Sequence, residues 1–293
     1  MLTDDRGSAV PRRILGRELR NLRLQAGLTT GKAAKLVDRS DATMWRYESG
    51  LTSVRVGDVL EMCRVYGAKK KLTDVLIALA GETKAKGWWH SLGDVIPEGY
   101  DLYLGFESAA EQIATYESEL VPGLMQTEDY ARAFIGSGPG RTEAETDHLV
   151  RVRMNRQLVL TRAYDPVRFR AVINEGALHR PTGGRDAMAN QLAHLIELSE
   201  RPNVALRIMP LEVGYHVGMD CGPVTLFEFA ERPADRLVEP PIAYGSHMFG
   251  ELFLDKPREI ARIQQALREV AAATLDEKQS RTMLVSLEKE MRA

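Results

Sequence analysis

Residues 28–50 have the sequence LTTGKAAKLVDRSDATMWRYESG, which contains two short helical patterns separated by a tight turn. Thr29 or Thr30 can cap the first helix, because a hydroxyl accepts hydrogen bonds from the free backbone N–H groups of a first turn. Ser40 is the corresponding cap of the second helix. Gly50 supplies the left-handed residue that ends it. This spacing predicts a helix, a turn and a second helix.

Three further helices are predicted on either side of this stretch. Apolar residues recur there every three or four positions, which is the period of an amphipathic helix. The three predicted helices are at 12–27, 53–66 and 72–80. The second helix of the quoted stretch is predicted at 41–49. Two helices joined by a tight turn form a helix-turn-helix, whose second helix enters the major groove of DNA. The sequence therefore predicts an all-helical DNA-binding domain.

Basic charge is concentrated in the amino-terminal part of the chain. Residues 1–85 carry 16 Lys and Arg against 10 Asp and Glu, whereas the rest carries 23 against 31. A basic segment on an acidic body suits contact with phosphate at one end only. Four arginines share the outer face of the first predicted helix, and the sequence leaves open whether they contact phosphate or are solvated: Arg13, Arg17, Arg20 and Arg23.

The composition is typical of a folded globular protein, with 44% hydrophobic and 27% charged residues. No apolar run approaches the ~18 residues that a membrane span needs. The first residues also lack the apolar stretch of a signal peptide. We therefore expect the protein in the cytoplasm, associated with the nucleoid when it is bound to DNA, and without a membrane partner.

The sequence divides into four parts: a flexible amino terminus at 1–11, the helix-turn-helix domain at 12–80, a polar linker at 81–87, and a second domain at 88–293. In the second domain helical patterns come first, then strands, then helices again. This order predicts an α+β domain with a mostly antiparallel sheet covered by helices. The predicted strands are 169–173, 204–209, 224–229, 237–244 and 248–254. The predicted helices include one opened by a capping box at 108–111 and passing through Ile113 and Tyr116, one from Thr142 to 161, one at 185–199, and a tail at 256–291 broken by a capping box at 274–277.

Residues 12–80 resemble the phage-repressor and Xre family of helix-turn-helix regulators. The matching pattern consists of Leu28-Thr29, Ala34, Glu48-Ser49-Gly50 and Tyr66-Gly67. The family usually has Gln at the start of the first helix of the motif, where it braces a DNA phosphate, and this chain has Thr30. Gly31 weakens the same helix by roughly 1 kcal/mol relative to Ala, and Asp38 stands where the family often has Gly. The resemblance implies a transcription regulator.

The same resemblance implies which residues contact DNA. They are Thr30, Asp41, Ala42, Thr43, Trp45 and Arg46. Arg46 is expected to bind guanine through two hydrogen bonds, worth ~1–3 kcal/mol of discrimination. Thr43 is expected at a phosphate and Ala42 at a thymine methyl. Trp45 is expected against sugar-phosphate or base edges, with packing on the second domain as the alternative, and Asp41 is expected as a helix cap or a cytosine reader.

Residues 87–290 are similar to the WhiJ-like regulators, which are Xre-type proteins common in spore-forming actinobacteria. The matching segments are 121–131, 151–157, 174–180, 191–192, 202–204 and Gly214-x-His216. The Pro-Pro pair within 231–246 departs from the usual pattern. That family is often paired with a small BldB-like protein, in an arrangement compared with toxin–antitoxin systems. The resemblance therefore implies a small acidic or amphipathic protein partner.

A cluster of three arginines and a glutamine stands out in the second domain, formed by Arg151, Arg153, Arg156 and Gln157. Together with Glu175 these residues are expected to form a buried ion-pair network that joins a helix to the sheet. The alternative is a pocket for an anion or nucleotide, because guanidinium groups suit phosphate and carboxylate.

No motif for catalysis is found in the sequence. It lacks a phosphate loop with Gly-Lys-Ser/Thr, G-x-G-x-x-G, a nucleophile elbow and His-Glu-x-x-His. The residues His216, Asp220 and Cys221 are weak candidates for metal ligands, since no second cluster accompanies them. We therefore expect neither catalytic residues, nor a metal, nor a cofactor.

The leading hypothesis is a sequence-specific transcription regulator, expected to be a repressor, whose second domain binds a small protein partner or effector. A homodimer is expected, because two recognition helices about 34 Å apart would bind a palindromic operator on double-stranded DNA. Two alternatives remain open. One is an antitoxin-like interaction protein with DNA binding as autoregulation, and the other is a sensor of a nucleotide or other anion.

Overall fold

The computed structural model describes residues 9–84, 87–88, 100–230, 239–247 and 250–293. These residues divide into two packed parts, which we call the helical unit and the sheet unit. The helical unit contains the described residues up to Trp88, the helix Tyr100–Ala109, and the residues Ala230 and Glu239. The sheet unit contains the others. The helical unit thus includes residues that lie far beyond the linker predicted at 81–87.

Six helices form the helical unit among the described residues. They are α1 (Ala9–Gln25), α2 (Thr30–Leu36), α3 (Asp41–Glu48), α4 (Val56–Tyr66), α5 (Lys70–Glu82) and α6 (Tyr100–Ala109). The predicted helix-turn-helix is confirmed as α2 and α3. Thr29 caps α2 by accepting a hydrogen bond from the N–H of Lys32, and Ser40 caps α3 in the same way from Thr43. Gly50, with a φ of 69°, follows α3 in the left-handed conformation that was predicted.

The first helix, α1, is the element against which α3, α4, α5 and α6 pack. Its buried face includes Ile14, Leu15 and Leu19. Gly16 allows the backbone of α3 to approach closely, and Gly105 of α6 lies against Ala9. Small residues on these helices therefore set how closely the helices approach one another.

A mixed sheet of six strands forms the centre of the sheet unit among the described residues. The strands are β1 (Gln112–Glu117), β2 (Arg168–Asn174), β3 (Val204–Met209), β4 (Val224–Glu228), β5 (Ile242–His247) and β6 (Gly250–Leu254). Their spatial order is β3-β2-β1-β4-β5-β6. The pairs β1–β2 and β2–β3 are parallel, whereas β1–β4, β4–β5 and β5–β6 are antiparallel. The predicted α+β class is confirmed, and antiparallel pairs outnumber parallel ones by three to two.

The prediction of a helix through Ile113 and Tyr116 is wrong, because both residues lie on β1. This strand is paired on both sides, and Ile113, Thr115 and Tyr116 are all buried. A strand buried on both faces loses the alternation of apolar and polar residues, so that a short apolar run resembles a buried helix. Ser108 lies near the end of α6 rather than at the start of a helix.

Eight helices accompany the sheet among the described residues. They are α7 (Glu128–Gly136), α8 (Glu143–Arg156), α9 (Leu158–Thr161), α10 (Glu175–Leu178), α11 (Arg185–Leu198), α12 (Val217–Cys221), α13 (Pro257–Ala272) and α14 (Glu277–Arg292). The predicted capping box of Thr142 with Glu145 is confirmed. The break in the tail is also confirmed, but the box at 274–277 is wrong. Asp276 caps α14 together with Gln279, because its carboxylate accepts the free N–H of Gln279 at 2.7 Å.

The predicted strands in the second half of the chain correspond to β2, β3, β4, β5 and β6. Four positions of these predictions lie outside the described residues, namely 237–238 and 248–249. β5 begins at Ile242, directly after two prolines, because proline lacks the N–H that a central strand donates. No helix among the described residues has the length and apolar character of a segment that crosses a bilayer.

Candidate DNA-binding surface and polar cluster

The recognition helix α3 buries one face and exposes the other. Met44 and Tyr47 are buried inside the helical unit. The predicted contact residues of α3 lie on its solvent-facing side. Thr43 is partly exposed, and the exposed residues are Asp41, Ala42, Trp45 and Arg46. Trp45 leaves 58% of its surface in water. An indole ring displayed in this way offers a large apolar area with one hydrogen-bond donor, which is characteristic of contact surfaces.

A buried ion pair connects α3 to α1. Arg23 donates two hydrogen bonds to the Glu48 carboxylate, at 2.6 and 2.8 Å, and both side chains are only 7% exposed. Arg23 also donates to the carbonyl oxygen of Leu28, just before α2. Two parallel bonds between guanidinium and carboxylate fix the orientation of both groups. Arg23 therefore positions both helices of the motif instead of contacting phosphate.

A second polar contact connects α4 both to the turn before α3 and to the last turn of α3. Asp58, on α4, accepts two hydrogen bonds from Arg39, at 2.6 and 3.3 Å, and one from the Tyr47 hydroxyl at 2.9 Å. Burial acts to raise the pKa of Asp58, but the hydrogen bonds from Arg39 and Tyr47 outweigh it and leave the pKa lowered. The carboxylate is therefore charged at neutral pH, and it connects α3 to α4.

The departures from the usual motif at the start of α2 have a structural reason. A Cβ at Gly31 would lie 3.1 Å from a carboxylate oxygen of Asp41, so the glycine leaves room for the first turn of α3. Asp38 adopts a φ of 53°, which is the left-handed conformation that the turn needs. Thr30 is the first residue of α2 and is partly exposed. The turn between α2 and α3 thus forms without the usual glycine at position 38.

Two of the arginines on the outer face of α1 bind a carboxylate from much later in the chain. Arg13 and Arg17 each donate to a different oxygen of Glu239, both at 2.8 Å. The Glu239 side chain is fully buried, and the Arg13 guanidinium also lies over the ring of Phe106 at 5.4 Å. Arg20, by contrast, is exposed. Arg13 and Arg17 therefore bind a carboxylate of the protein itself, which is neither of the two alternatives that the sequence left open.

A polar cluster in the sheet unit is formed around Gln126. Its side-chain oxygen accepts a hydrogen bond from Arg153 at 2.7 Å, and its backbone oxygen accepts one from Gln157 at 2.5 Å. Gly123 lies beneath the guanidinium groups, since a Cβ there would be 3.0 Å from Arg153 and 3.3 Å from Arg156. The structure thus brings Arg153, Arg156 and Gln157 together against one turn of backbone.

In the described part of the chain, a carboxyl group close enough to interact with the charges of these arginines is Glu117, at the end of β1; Glu175, which was predicted here, has other hydrogen-bond partners. Burial raises the pKa of Glu117 to about 7, although the charges of Arg153 and Arg156 act to lower it. Glu175 instead accepts hydrogen bonds from His179 and from the backbone N–H of Leu211. Sequence reasoning missed Glu117 because the error on β1 placed it on a helix.

The remaining candidates lie apart from this cluster. Arg151 is exposed on the outer side of α8. Among the candidate metal ligands, Asp220 accepts a hydrogen bond from the Tyr215 hydroxyl, and His216 is buried with its ring edge-on to Tyr116. In the described part of the chain, no group of three His, Cys, Asp or Glu side chains is arranged to hold a metal ion.

Replacing Glu117 with Gln is expected to change how stability depends on pH. The pKa of Glu117 is higher in the folded protein than in the unfolded chain, so the folded state gains a proton more readily. Its contribution to stability is therefore lost as the pH rises from about 4.5 towards and beyond 7. We expect Glu117→Gln to be more stable than wild type by about 3 kcal/mol at pH 8, with the difference vanishing near pH 4.

Urea unfolding at a series of pH values measures this effect. Glu119→Gln is the matched control, since Glu119 is exposed and pairs with Arg180 at the surface; its effect should stay within about 0.5 kcal/mol at each pH. A difference between Glu117→Gln and wild type that does not vary with pH would contradict the assignment of the raised pKa.

Two family models match this chain. Residues 100–286, well over half of the chain, match the model described as a domain of unknown function, DUF5753. Residues 14–76 match the model described as a helix-turn-helix domain, which spans α2 and α3. No curated protein and no solved structure gives a significant match. The helix-turn-helix match supports a DNA-binding regulator rather than an enzyme.

Proposed function

The chain belongs to the family of the domain of unknown function DUF5753, and we propose that it is a sequence-specific transcription repressor of the WhiJ-like kind. In this proposal α3 binds the operator, and the sheet unit binds a small BldB-like protein partner or an effector. Two copies bind together, because a dimer doubles the contact and matches a palindromic site with half-sites about 34 Å apart.

The observation that carries the DNA-binding part of the proposal is the outer face of α3. Ala42, Trp45 and Arg46 are exposed on one helix, and this helix is fixed from two sides through Glu48 and Tyr47. A contact residue on a rigid helix has its backbone position fixed before binding, so that only the side chain has to be ordered. Arg46 is therefore well suited to bind guanine through two hydrogen bonds.

Two short connections support a regulatory role for the sheet unit. α6 belongs to the helical unit and ends at Ala109, and β1 begins three residues later at Gln112. Glu239, which binds two arginines of α1, is followed by two prolines and then by β5 at Ile242. A ligand that shifts either strand would therefore act on groups that pack directly against α1.

Replacing Arg46 with Ala is expected to weaken specific binding by about 10- to 100-fold, which corresponds to the loss of one bidentate contact to a base. The operator is first identified by in vitro selection from random duplexes with the full-length protein. Fluorescence anisotropy with the selected duplex and with a scrambled duplex then measures specific and non-specific affinity. Because Arg46 is exposed, its loss should leave the melting temperature unchanged.

The matched control is Arg64→Ala, which removes the same charge from α4, where Arg64 pairs with Glu61 at the surface. We expect this variant to keep its specificity. If Arg46→Ala binds the selected duplex as tightly as wild type, or if no duplex is enriched in the selection, the proposed role of α3 is wrong.

A further inference from the structure

Four exposed apolar side chains lie within nine residues of one another in the segment that joins β3 to β4, which we call the β3–β4 loop (residues 210–223). Leu211 is 59% exposed, Val213 37%, Tyr215 72% and Met219 65%. Four such side chains together expose an apolar area on the order of 500 Å², the size of the largest patch on a typical monomer, and such patches are often functional.

The backbone conformation of the β3–β4 loop depends on three glycines. Gly214 and Gly222 have φ values of 66° and 64°, a conformation that other residues rarely adopt. Gly218 lies so close to its neighbours that a Cβ there would be 2.7 Å from the ring of Tyr116 and 2.8 Å from that of His216. The exposed side chains therefore do not result from a loosely packed segment.

Several contacts fix the loop to the sheet from below. His216 is buried against Tyr116. Val217 and Cys221 pack on the hydrophobic core that the strands form with α13. At the start of the loop, the backbone N–H of Leu211 donates to Glu175 at 2.8 Å. The loop thus directs half of its side chains into the protein and presents the others to solvent in a fixed arrangement, which lowers the entropy lost on binding.

The charged side chains of the β3–β4 loop itself are all acidic. Glu212 and Asp220 are exposed, and Glu175 adds a third carboxylate at the start of the loop. The sequence has no Lys or Arg between positions 208 and 229. A partner for this surface therefore needs an apolar stripe bordered by basic residues, since an acidic partner would be repelled.

We propose that the β3–β4 loop is a docking surface for a basic amphipathic helix of another protein, which contacts Leu211, Tyr215 and Met219 with its apolar side and Glu212 and Asp220 with its lysines or arginines. The inference specifies the partner-binding part of the proposed function. A second copy of this chain fits less well, because like charges would meet across the twofold axis. A stable dimer also buries about 800 Å² on each partner, more than this patch offers.

The test uses two fluorescein-labelled synthetic peptides with the same leucine pattern at helical spacing. One has lysine at the polar positions and the other has glutamate. Anisotropy titrations with the full-length protein should show that the lysine peptide binds at least tenfold more tightly. The double variant Leu211→Ser/Met219→Ser should weaken its binding at least tenfold. The control variant Leu158→Ser/Tyr164→Ser, which alters equally exposed side chains elsewhere, should bind the lysine peptide like wild type.

Three outcomes would overturn the proposal. The first is equal binding of the two peptides, and the second is unchanged binding by the loop variant. The third is a dimer in sedimentation of the wild type that is lost in the loop variant, since the occupant would then be a second copy. The loop variant should retain its affinity for the selected duplex, so failure here is distinguishable from failure of the DNA-binding proposal.

Discussion

Replacing Glu48 with Ala is expected to lower the free energy of unfolding of the helical unit by about 3–5 kcal/mol, the usual effect of removing one partner from a buried ion pair. Arg23 would keep its charge in a place where its side chain is 7% exposed. Its remaining hydrogen bond to Leu28 cannot replace a carboxylate. The end of α3 would also lose its hydrogen bonds to α1, so operator affinity should fall together with stability.

The measurement is urea unfolding followed by tryptophan fluorescence, because the three tryptophans are at positions 45, 88 and 89. Glu61→Ala is the matched control, since Glu61 pairs with Arg64 one turn apart on the surface of α4. An exposed pair of this kind is worth about 0.5 kcal/mol at most. Equal effects of Glu48→Ala and Glu61→Ala would show that the buried pair contributes little to the fold.

The helix-turn-helix could be predicted in detail because its signals are local. The caps at Thr29 and Ser40 bind backbone groups three residues away, and Gly50 adopts the conformation that ends α3. Such interactions depend on a few neighbouring residues, all of which are visible in the sequence. The exposed face of α3 follows from the same helical period, so the placement of Arg46 on the outer side required no tertiary information.

The partners of the buried charges could not be predicted, because they come from distant parts of the chain. Arg13 and Glu239 are separated by 226 positions, and the sequence does not indicate which carboxylate the fold brings to a given arginine. Glu117 was missed for a related reason. It belongs to a strand paired on both sides, and the burial of both faces removed the alternation that identifies a strand.

Gly16 is the residue whose importance is least apparent in the sequence, and Gly16→Ala is expected to destabilise the helical unit by about 2–3 kcal/mol even though Ala favours helices. A Cβ at this position would lie 2.9 Å from the carbonyl oxygen of Glu48 and closer still to that of Tyr47. Both atoms belong to the backbone, so no side chain can rotate away. Since Cβ atoms essentially never approach other atoms within 3.0 Å, α3 has to move away from α1.

The control for this prediction is Gly57→Ala on α4, where a Cβ would meet nothing within 4 Å. That variant should be more stable than wild type by about 0.5–1 kcal/mol, because Ala restricts the unfolded chain and favours the helix. Operator affinity is a second measurement that distinguishes Gly16→Ala from Gly57→Ala. A binding residue has to stay within about 0.5 Å of its productive position. Because α3 is displaced in Gly16→Ala, this variant should bind the operator more weakly than wild type even at a temperature where the variant remains folded. If Gly16→Ala is as stable as Gly57→Ala and binds the operator like wild type, then the close approach of α1 and α3 is not what positions the recognition helix.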